Sequence, residues 1–283
     1  MGIQTGYSTS NPDSRDPSSI QKYYKPLNIS SSSYFNNTLS TARFKSYRFW
    51  QTFAGPSQPG NHWDRSSLSP NAYYSREHNE IVIPAGLMQE PAFYTPDLPS
   101  YLTYGAFGAI AGHELSHAFD ATGRHYDYRG NYTEWWDAES ISVFQSRTRC
   151  LIEQYNSFSI FQSYKDAASS PLYVNGTLTL DENLADTQGL KLAFLAWQSH
   201  EASHGPSQLL PGLENFTPTQ LFFLSYSRFW CEKSRTENLK QRLKSDPYAP
   251  GFARIRGAAV ENSEEFQLAF GCAREEGPRC KMW

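Results

Sequence analysis

The sequence predicts an α+β fold that is mainly helical and carries a small β-sheet. Two kinds of pattern support this prediction. Apolar residues recur at helical spacing in several long segments, and capping residues stand at the ends of these segments. β-Branched and aromatic residues are instead concentrated in two short stretches, Tyr73–Tyr74 and Glu80–Ile83, which predict short strands.

The predicted elements follow one another along the chain. Residues 1–33 are polar, serine-rich and without periodicity, so we expect a disordered or loosely attached arm there. A helix is predicted within Tyr34–Trp63, followed by a Pro/Gly linker at Gly55–Asn61, and the two strands come next. A long helix is then predicted at about Ser100–Thr122, capped by Ser100 and closed by Gly123. The remaining helices are expected at about Asp137–Tyr155, around Glu182, from the capping box of Thr217 and Gln220 to beyond Trp230, and at Asn262–Phe270.

Composition limits the classes of protein that the chain can represent. A length of 283 residues allows one large core, and a formal net charge of −3 argues against a nucleic-acid-binding surface. No run of 18 apolar residues occurs, so no membrane span is expected, and the polar start at Met1 does not resemble a signal peptide. Five glycosylation sequons agree with an extracellular or secretory-pathway location. They begin at Asn28, Asn36, Asn131, Asn175 and Asn215.

The segment Ala111–His117 reads AGHELSH and contains the pattern His-Glu-x-x-His. On a helix, residues four apart lie on one face, so His113 and His117 can reach the same ion. Glu114 would lie about 100° around the helix, beside a metal-bound water rather than on the metal. A catalytic zinc ion takes three protein ligands and leaves one position for water. Three glycines on one side of this helix predict the close approach of another backbone: Gly105, Gly108 and Gly112.

A second acidic motif, ENLAD, begins at Glu182. Glu182 and Asp186 are also four residues apart, so Glu182 can supply a third metal ligand while Asp186 accepts a proton from a ligand imidazole. Taken alone, the motif is equally explained by acidic residues in the first turn of a helix, where the helix dipole favours them. Its combination with AGHELSH favours the metal site.

These two motifs and five others make the chain similar to the neprilysin and endothelin-converting-enzyme peptidases, which are gluzincins. The resemblance runs from about Tyr34 to the last residue and corresponds to the C-terminal catalytic half of such an enzyme. It implies a thermolysin-like zincin fold for residues 34–283, without the N-terminal lobe that forms a lid over the active site. The other motifs are NAYYS at Asn71–Ser75, NEIVIPAG at Asn79–Gly86, QLFFLSYSRFWC at Gln220–Cys231, PGFARIRG at Pro250–Gly257 and CKMW at Cys280–Trp283.

The resemblance implies an endopeptidase with one Zn²⁺ per chain, which cuts oligopeptides on the amino side of bulky hydrophobic residues. His113, His117 and Glu182 would bind the zinc, and Glu114 would deprotonate the metal-bound water. The other implied roles are the orientation of a ligand histidine by Asp186, contact with the substrate carbonyl by Arg254, pairing with the substrate backbone by Asn71 and Ala72, and an apolar pocket at Phe229 and Trp230.

Two positions depart from the family pattern. Tyr248 stands where the family has a histidine that donates a hydrogen bond to the oxyanion. A phenol can also donate one bond, but its failure to do so would reduce turnover roughly 10²–10³-fold. A zinc-binding homologue with weak or no activity is therefore the alternative prediction. Asp181 replaces the usual glycine before Glu182, and a helix N-cap is favoured over an extra carboxylate that affects the metal.

The four cysteines allow three pairings, and their spacing does not choose among them. The resemblance implies a bridge between Cys150 and Cys280. Cys231 and Cys272 match positions whose family partners lie near the start of a full-length chain, so here we expect buried thiols or a bond between these two. A fragment that needs an N-terminal lobe as its partner is a third hypothesis.

Overall fold

A computed structural model of the chain describes residues 1–8, 12–54, 66–159, 171–272 and 279–282. In these ranges the chain is mainly helical with one three-stranded sheet, which confirms the predicted α+β class. The predicted linker at 55–61 lies outside the described residues. The α-helices are α1 (Pro17–Tyr24), α2 (Tyr34–Ala54), α3 (Ser100–Thr103), α4 (Ala109–Ser116), α5 (Ala138–Asn156), α6 (Leu180–His204), α7 (Pro218–Phe229), α8 (Thr236–Ser245), α9 (Gly251–Ile255) and α10 (Glu264–Ala269).

The sheet has the order β1-β3-β2, with β1 at Gly2–Gly6, β2 at Tyr73–Ser75 and β3 at Glu80–Pro84. β1 runs parallel to β3, and β2 runs antiparallel to it with Tyr73 opposite Val82. Every residue of β3 is buried. Strands β2 and β3 match the sequence prediction, and β2 forms one edge of the sheet.

Two segments of residues 1–33, where a disordered or loosely attached arm is predicted, form regular secondary structure. β1 hydrogen-bonds to a strand almost 80 residues away, a partner that local composition does not reveal. α1 begins after Asp16, whose side chain accepts a hydrogen bond from the backbone N–H of Ser18. The ring of Tyr23 packs edge-on against Phe44 of α2 at 5.7 Å between centroids.

The helix predicted at Ser100–Thr122 is a rod of three parts. α3 passes into a π-helical segment at Tyr104–Gly108 and then into α4, which ends at Ser116. Ser100 does not cap the rod, because its side chain makes no capping bond and its Oγ lies 2.9 Å from Oγ of Ser207. The chain then bends into a loop, and Gly123 lies beyond the helix in a short 3₁₀ turn.

α4 and α6 cross at two glycines. A Cβ on Gly112 would lie 2.5 Å from the carbonyl oxygen of Gly189, and one on Gly189 would lie 2.4 Å from the backbone nitrogen of His113. Neither position can accept a side chain without moving a helix. The predicted close approach of a second backbone is therefore confirmed at Gly112, and it brings the first turns of α6 beside the histidines of α4.

The remaining helices follow their predicted signals closely. Asp137 caps α5 by accepting a hydrogen bond from the Ser140 N–H, and Thr217 and Gln220 form the predicted capping box of α7. The last helix is shorter than predicted, because Ser263 caps its start and Phe270 is its C-cap; a π-helical segment at Arg256–Glu261 precedes it. Helices α8 and α9 were not predicted.

The cysteines behave partly as predicted. Cys150 and Cys280 form a disulfide, which ties the end of the chain to α5. Cys231 and Cys272 are both free and both exposed. The expectation that these two are buried or bonded to each other is therefore wrong.

Candidate metal centre

Three potential metal donors converge where α4 meets α6. His113 lies in the last turn of α4, His117 is the C-cap residue that follows this helix, and Glu182 lies in the first turn of α6. The two Nε2 atoms are 3.0 Å apart, and Oε2 of Glu182 lies 3.1 Å from Nε2 of His113 and 3.7 Å from Nε2 of His117. In the described part of the chain, this is the one group of three such residues with donors within 4.8 Å of one another.

Each histidine is oriented by a buried carboxylate. Nδ1 of His113 lies 2.9 Å from Asp186, and Nδ1 of His117 lies 2.7 Å from Asp120. An ionised carboxylate only accepts hydrogen bonds, so both Nδ1 atoms carry the proton and both Nε2 lone pairs face the space between the rings. The sequence predicts such a role for Asp186, whereas the role of Asp120 was not predicted. Its signal was its position three residues after His117 in the same motif.

The donor set fits a zinc ion. A tetrahedral zinc site with bonds of about 2.0–2.1 Å separates its ligands by about 3.3 Å, close to the three distances found here. Two neutral imidazoles cannot hydrogen-bond to each other through facing lone pairs, and Oε2 of Glu182 is buried without a hydrogen-bond partner. Burial lowers the pKa of His113, but the carboxylates of Asp186 and Glu182 beside its two ring nitrogens outweigh burial and raise the value to about 10. The cluster therefore favours a positive charge.

Glu114 lies beside the donors and is also buried. Burial raises its pKa above the ordinary value of 4.5, while the neighbouring His113 and His117 oppose this shift. A backbone hydrogen bond from Tyr74 in β2 also lowers the pKa. The carboxylate of Glu114 therefore lies between the metal donors and the edge strand of the sheet.

Arg254 of α9 is paired with Asp186. Its Nε and Nη2 bind the two carboxylate oxygens at 2.6 and 2.7 Å, and its guanidinium lies 3.5 Å from the centre of the Trp230 ring. Burial raises the pKa of Asp186, but Arg254 and His113 outweigh this effect and hold the value at about 2. Asp186 is thus an anion shared by a metal-donor histidine and an arginine. The pair with Asp186 uses Nε and Nη2 of Arg254 and does not use Nη1.

Tyr248 and the two residues of the predicted apolar pocket, Phe229 and Trp230, line one cavity together with Arg254. The Tyr248 ring centre is 5.2 Å from the guanidinium carbon, and the residue is 39% exposed. A cavity of about 220 Å³ lies here between α7 and the loop before α9. Its walls are aromatic and polar: Phe229, Trp230, Cys231, Glu232, Arg242, Asp246, Tyr248, Ala249, Gly251 and Arg254.

Asn71 and Ala72 lie immediately before β2. Ala72 is buried and packs in a cluster with Ile81 and Ile110, whereas Asn71 is exposed and its Oδ1 accepts a hydrogen bond from the Ala72 N–H. Neither residue hydrogen-bonds to the metal donors. They precede the edge strand of the three-stranded sheet, and this strand reaches Glu114 through Tyr74.

The predicted N-cap role of Asp181 is wrong. The N-cap of α6 is Thr179, and Asp181 is already the second helical residue. Its side chain instead accepts hydrogen bonds from the backbone N–H of Ala121 at 3.0 Å and from the hydroxyl of Thr122 at 2.6 Å.

Comparison with known proteins places this site in a family. Residues 71–279 match the sequence model of peptidase family M13. The chain is 38% identical over 274 residues to an endothelin-converting enzyme homologue of Locusta migratoria, and 37% identical over 275 residues to endothelin-converting enzyme 1 of Bos taurus. These alignments cover 95% of this chain but only 36% and 34% of the two relatives. The chain therefore spans about a third of their length.

Solved structures are also similar to this chain over nearly its whole length. A zinc metalloprotease of Mycobacterium tuberculosis, in complex with an inhibitor, is 31% identical with a TM-score of 0.82, covering 99% of this chain and 40% of that one. A Haemonchus galactose-containing glycoprotein complex is 26% identical with a TM-score of 0.83, covering 100% and 45% of the two chains.

In the described ranges, no helix is long and apolar enough to cross a membrane.

Proposed function

Because the chain belongs to peptidase family M13, we propose that it is a zinc-dependent endopeptidase that cuts oligopeptides on the amino side of bulky hydrophobic residues. The observation that carries this proposal is the convergence of His113, His117 and Glu182, with the buried carboxylate of Glu114 beside them. Bound there, zinc would lower the pKa of a water to about 7 and polarise a carbonyl.

In this proposal Glu114 is the general base. It takes a proton from the attacking water and passes it to the leaving amine. Burial raises its pKa, which suits a group that must both accept and release a proton near neutral pH. The nearby Tyr74 backbone keeps the carboxylate on the side of the edge strand, where a substrate would lie.

The substrate backbone pairs with β2, an edge strand of the three-stranded sheet. An extended peptide can add to an exposed sheet edge through main-chain hydrogen bonds. Asn71 and Ala72 begin that edge, and β2 leads directly toward Glu114. The scissile bond of a peptide bound in this way would pass beside the metal donors.

Arg254 and Tyr248 act on the carbonyl groups of the bound peptide. Two guanidinium nitrogens of Arg254 are held by Asp186, so Nη1 is the atom that remains to donate to a substrate carbonyl. The phenol of Tyr248 can donate one hydrogen bond to the oxyanion. The aromatic rings of Phe229 and Trp230 in the wall of the cavity support a preference for a bulky hydrophobic residue after the cut.

The alternative is a zinc-binding homologue with weak or no activity. Tyr248 supports it, because this residue occupies the position of the family's oxyanion-binding histidine. The chain would also act as an incomplete enzyme if its fold or its substrate cleft required an N-terminal lobe as partner. A secretory location is proposed from the disulfide and from five exposed sequon asparagines. These are Asn28, Asn36, Asn131, Asn175 and Asn215.

The test is cleavage of a mixed library of short peptides by the zinc-loaded chain, with products identified by mass spectrometry. We expect cuts before hydrophobic residues, and a loss of turnover of roughly 10²–10⁴-fold in Glu114→Gln, because this amide cannot accept the proton of water. The variant should still bind one zinc, which separates a catalytic effect from loss of the metal.

Cleavage that persists at the same rate in Glu114→Gln would contradict the proposal and would point to a contaminating protease. An inactive, folded and zinc-loaded parent that gains activity in Tyr248→His would favour the weak homologue. A parent without a cooperative thermal transition would favour the incomplete enzyme.

A further inference from the structure

Asp181 connects the two segments that carry the metal donors. It directly precedes Glu182 in the first turn of α6. Its carboxylate accepts one hydrogen bond from the Ala121 backbone and one from the Thr122 hydroxyl, both in the loop that follows α4. These contacts join positions about 60 residues apart in sequence.

The same loop holds the second histidine. Asp120 precedes Ala121, is completely buried, and binds Nδ1 of His117 at 2.7 Å. Its other oxygen accepts a hydrogen bond from the backbone N–H of Thr122 at 2.9 Å. Asp120 and Asp181 therefore both hold the turn that follows His117, one from within the loop and one from α6.

This arrangement brings together two carboxylates that repel each other. Arg76, at the end of β2, offsets part of this repulsion, since its Nη2 lies 3.5 Å from Oδ2 of Asp120. A side chain that served only to cap α6 would not need to reach this loop. The contacts of Asp181 also differ from those of the helix N-cap, which is Thr179.

We propose that Asp181 is a positioning residue for the zinc ligands: its two hydrogen bonds to the Ala121–Thr122 turn hold Glu182 at the distance from His117 that one ion requires. The proposal deepens the zinc site proposed above and rests on it. It concerns a residue where this chain differs from the family pattern, so it describes a feature of this chain.

A competing explanation is that Asp181 acts through its charge alone. A carboxylate near a zinc ion attracts it whether or not it contacts the loop. The two explanations predict different results for two substitutions. Asp181→Asn removes the charge but retains the size and an oxygen acceptor, whereas Thr122→Val removes one hydrogen bond and leaves the charge in place.

The experiment measures zinc affinity of the full chain by competition with a chromogenic chelator. Asp181→Ala should weaken affinity about tenfold, as loss of a group that orients metal ligands does. Thr122→Val should produce a smaller loss, and Asp181→Asn should retain most of the affinity. Glu139→Ala is the matched control, because Glu139 is an exposed carboxylate in the first turn of another helix, α5.

A second measurement separates positioning from general stability. Zinc that binds only the folded chain raises its melting temperature by an amount set by its affinity. If Asp181 positions the ligands, Asp181→Ala reduces this zinc-dependent rise. An equal fall in melting temperature with zinc and with excess chelator, at unchanged affinity, overturns the proposal.

Three other outcomes of these measurements would also contradict the inference. If Asp181→Asn loses as much affinity as Asp181→Ala while Thr122→Val loses none, charge alone explains the effect and positioning is wrong. If the unmodified chain binds no zinc, both this inference and the proposed function fail. Zinc binding that is unaffected by Asp181→Ala contradicts this inference only.

Discussion

Asp186 contacts both a metal-donor histidine and the buried arginine of the centre. One of its oxygens lies within hydrogen-bonding distance of both His113 and Arg254, and the other binds Arg254 again. A buried carboxylate requires such partners, since an unpaired charge in the interior is strongly destabilising. The ion pair with Arg254 thus allows Asp186 to remain an anion beside the metal-donor histidine.

Arg254→Met tests this dependence. The substitution leaves Asp186 buried with only its histidine partner, so we expect the free energy of unfolding to fall by about 3–5 kcal/mol. Arg15→Met is the control, because Arg15 forms an exposed ion pair with Asp13 and its removal should have no measurable effect. Urea denaturation in excess chelator measures both variants. An equally small change in both would mean that the buried pair does not stabilise the fold.

Much of the residue-scale site could be predicted from sequence because its geometry is local. Four-residue spacing on a helix places His113 beside His117, and Glu182 beside Asp186, whatever surrounds them. The partners that depend on tertiary packing could not be predicted in this way. Sequence spacing gave no indication that Asp181 reaches Thr122, or that Arg254 binds Asp186 through two nitrogens.

At the scale of elements, the crossing of α4 and α6 builds the centre. Glycines on one side of the predicted helix indicated that another backbone approaches closely. As predicted, Gly112 contacts the backbone of Gly189 in α6. The π-helical segment at Tyr104–Gly108 was not predictable, because the spacing of its apolar residues is that of an ordinary α-helix. β1 escaped prediction for a similar reason, since its stability comes from pairing with β3.

Gly189→Ala should disrupt the crossing. Its new Cβ would lie 2.4 Å from the backbone nitrogen of His113, so α6 must shift away from α4 and take Glu182 with it. We expect a loss of about 1–3 kcal/mol in the free energy of unfolding, as overpacking usually causes, together with weaker zinc binding. Thermal denaturation and chelator competition measure the two effects.

Gly108→Ala is the control for this experiment. Its Cβ would meet the Ala193 Cβ at 3.4 Å, an ordinary contact, although Gly108 faces the same helix. Stability should therefore stay within about 1 kcal/mol of the parent, since the contact is tolerable and alanine favours a helix. Loss of zinc affinity in Gly108→Ala, with none in Gly189→Ala, would contradict the role assigned to the crossing.

At the scale of the whole molecule, the last described residues are bonded covalently to α5. The disulfide between Cys150 and Cys280 closes a loop of 130 residues that contains α6 and α9, and hence Glu182 and Arg254. A polar cluster beside it adds further bonds. Glu261 accepts hydrogen bonds from Gln154 of α5 at 2.9 Å and from the side chain of Arg279 in the tail at 3.0 Å.

Glu261 should make the free energy of unfolding depend on pH in the acidic range. Burial raises its pKa, but hydrogen bonds from Gln154 and Arg256 outweigh burial and hold the pKa below the ordinary value of 4.5. A carboxyl with a lowered folded pKa stabilises the protein above its unfolded pKa and loses that contribution as the pH falls through the folded pKa. The loss therefore occurs below about pH 4.5.

Glu261→Gln should remove this contribution. We expect the variant to be less stable than the parent by about 1.5–3 kcal/mol near neutral pH, the usual value of hydrogen bonds to a charged group. The difference should shrink as the pH falls from neutral through the lowered folded pKa, where the parent carboxyl itself becomes protonated. Denaturant titrations across this range, in excess chelator, measure the difference without interference from the metal centre. Glu264→Gln, an exposed neighbour, should follow the parent at every pH. A difference that stays constant with pH would mean that Glu261 acts by packing and not by its charge.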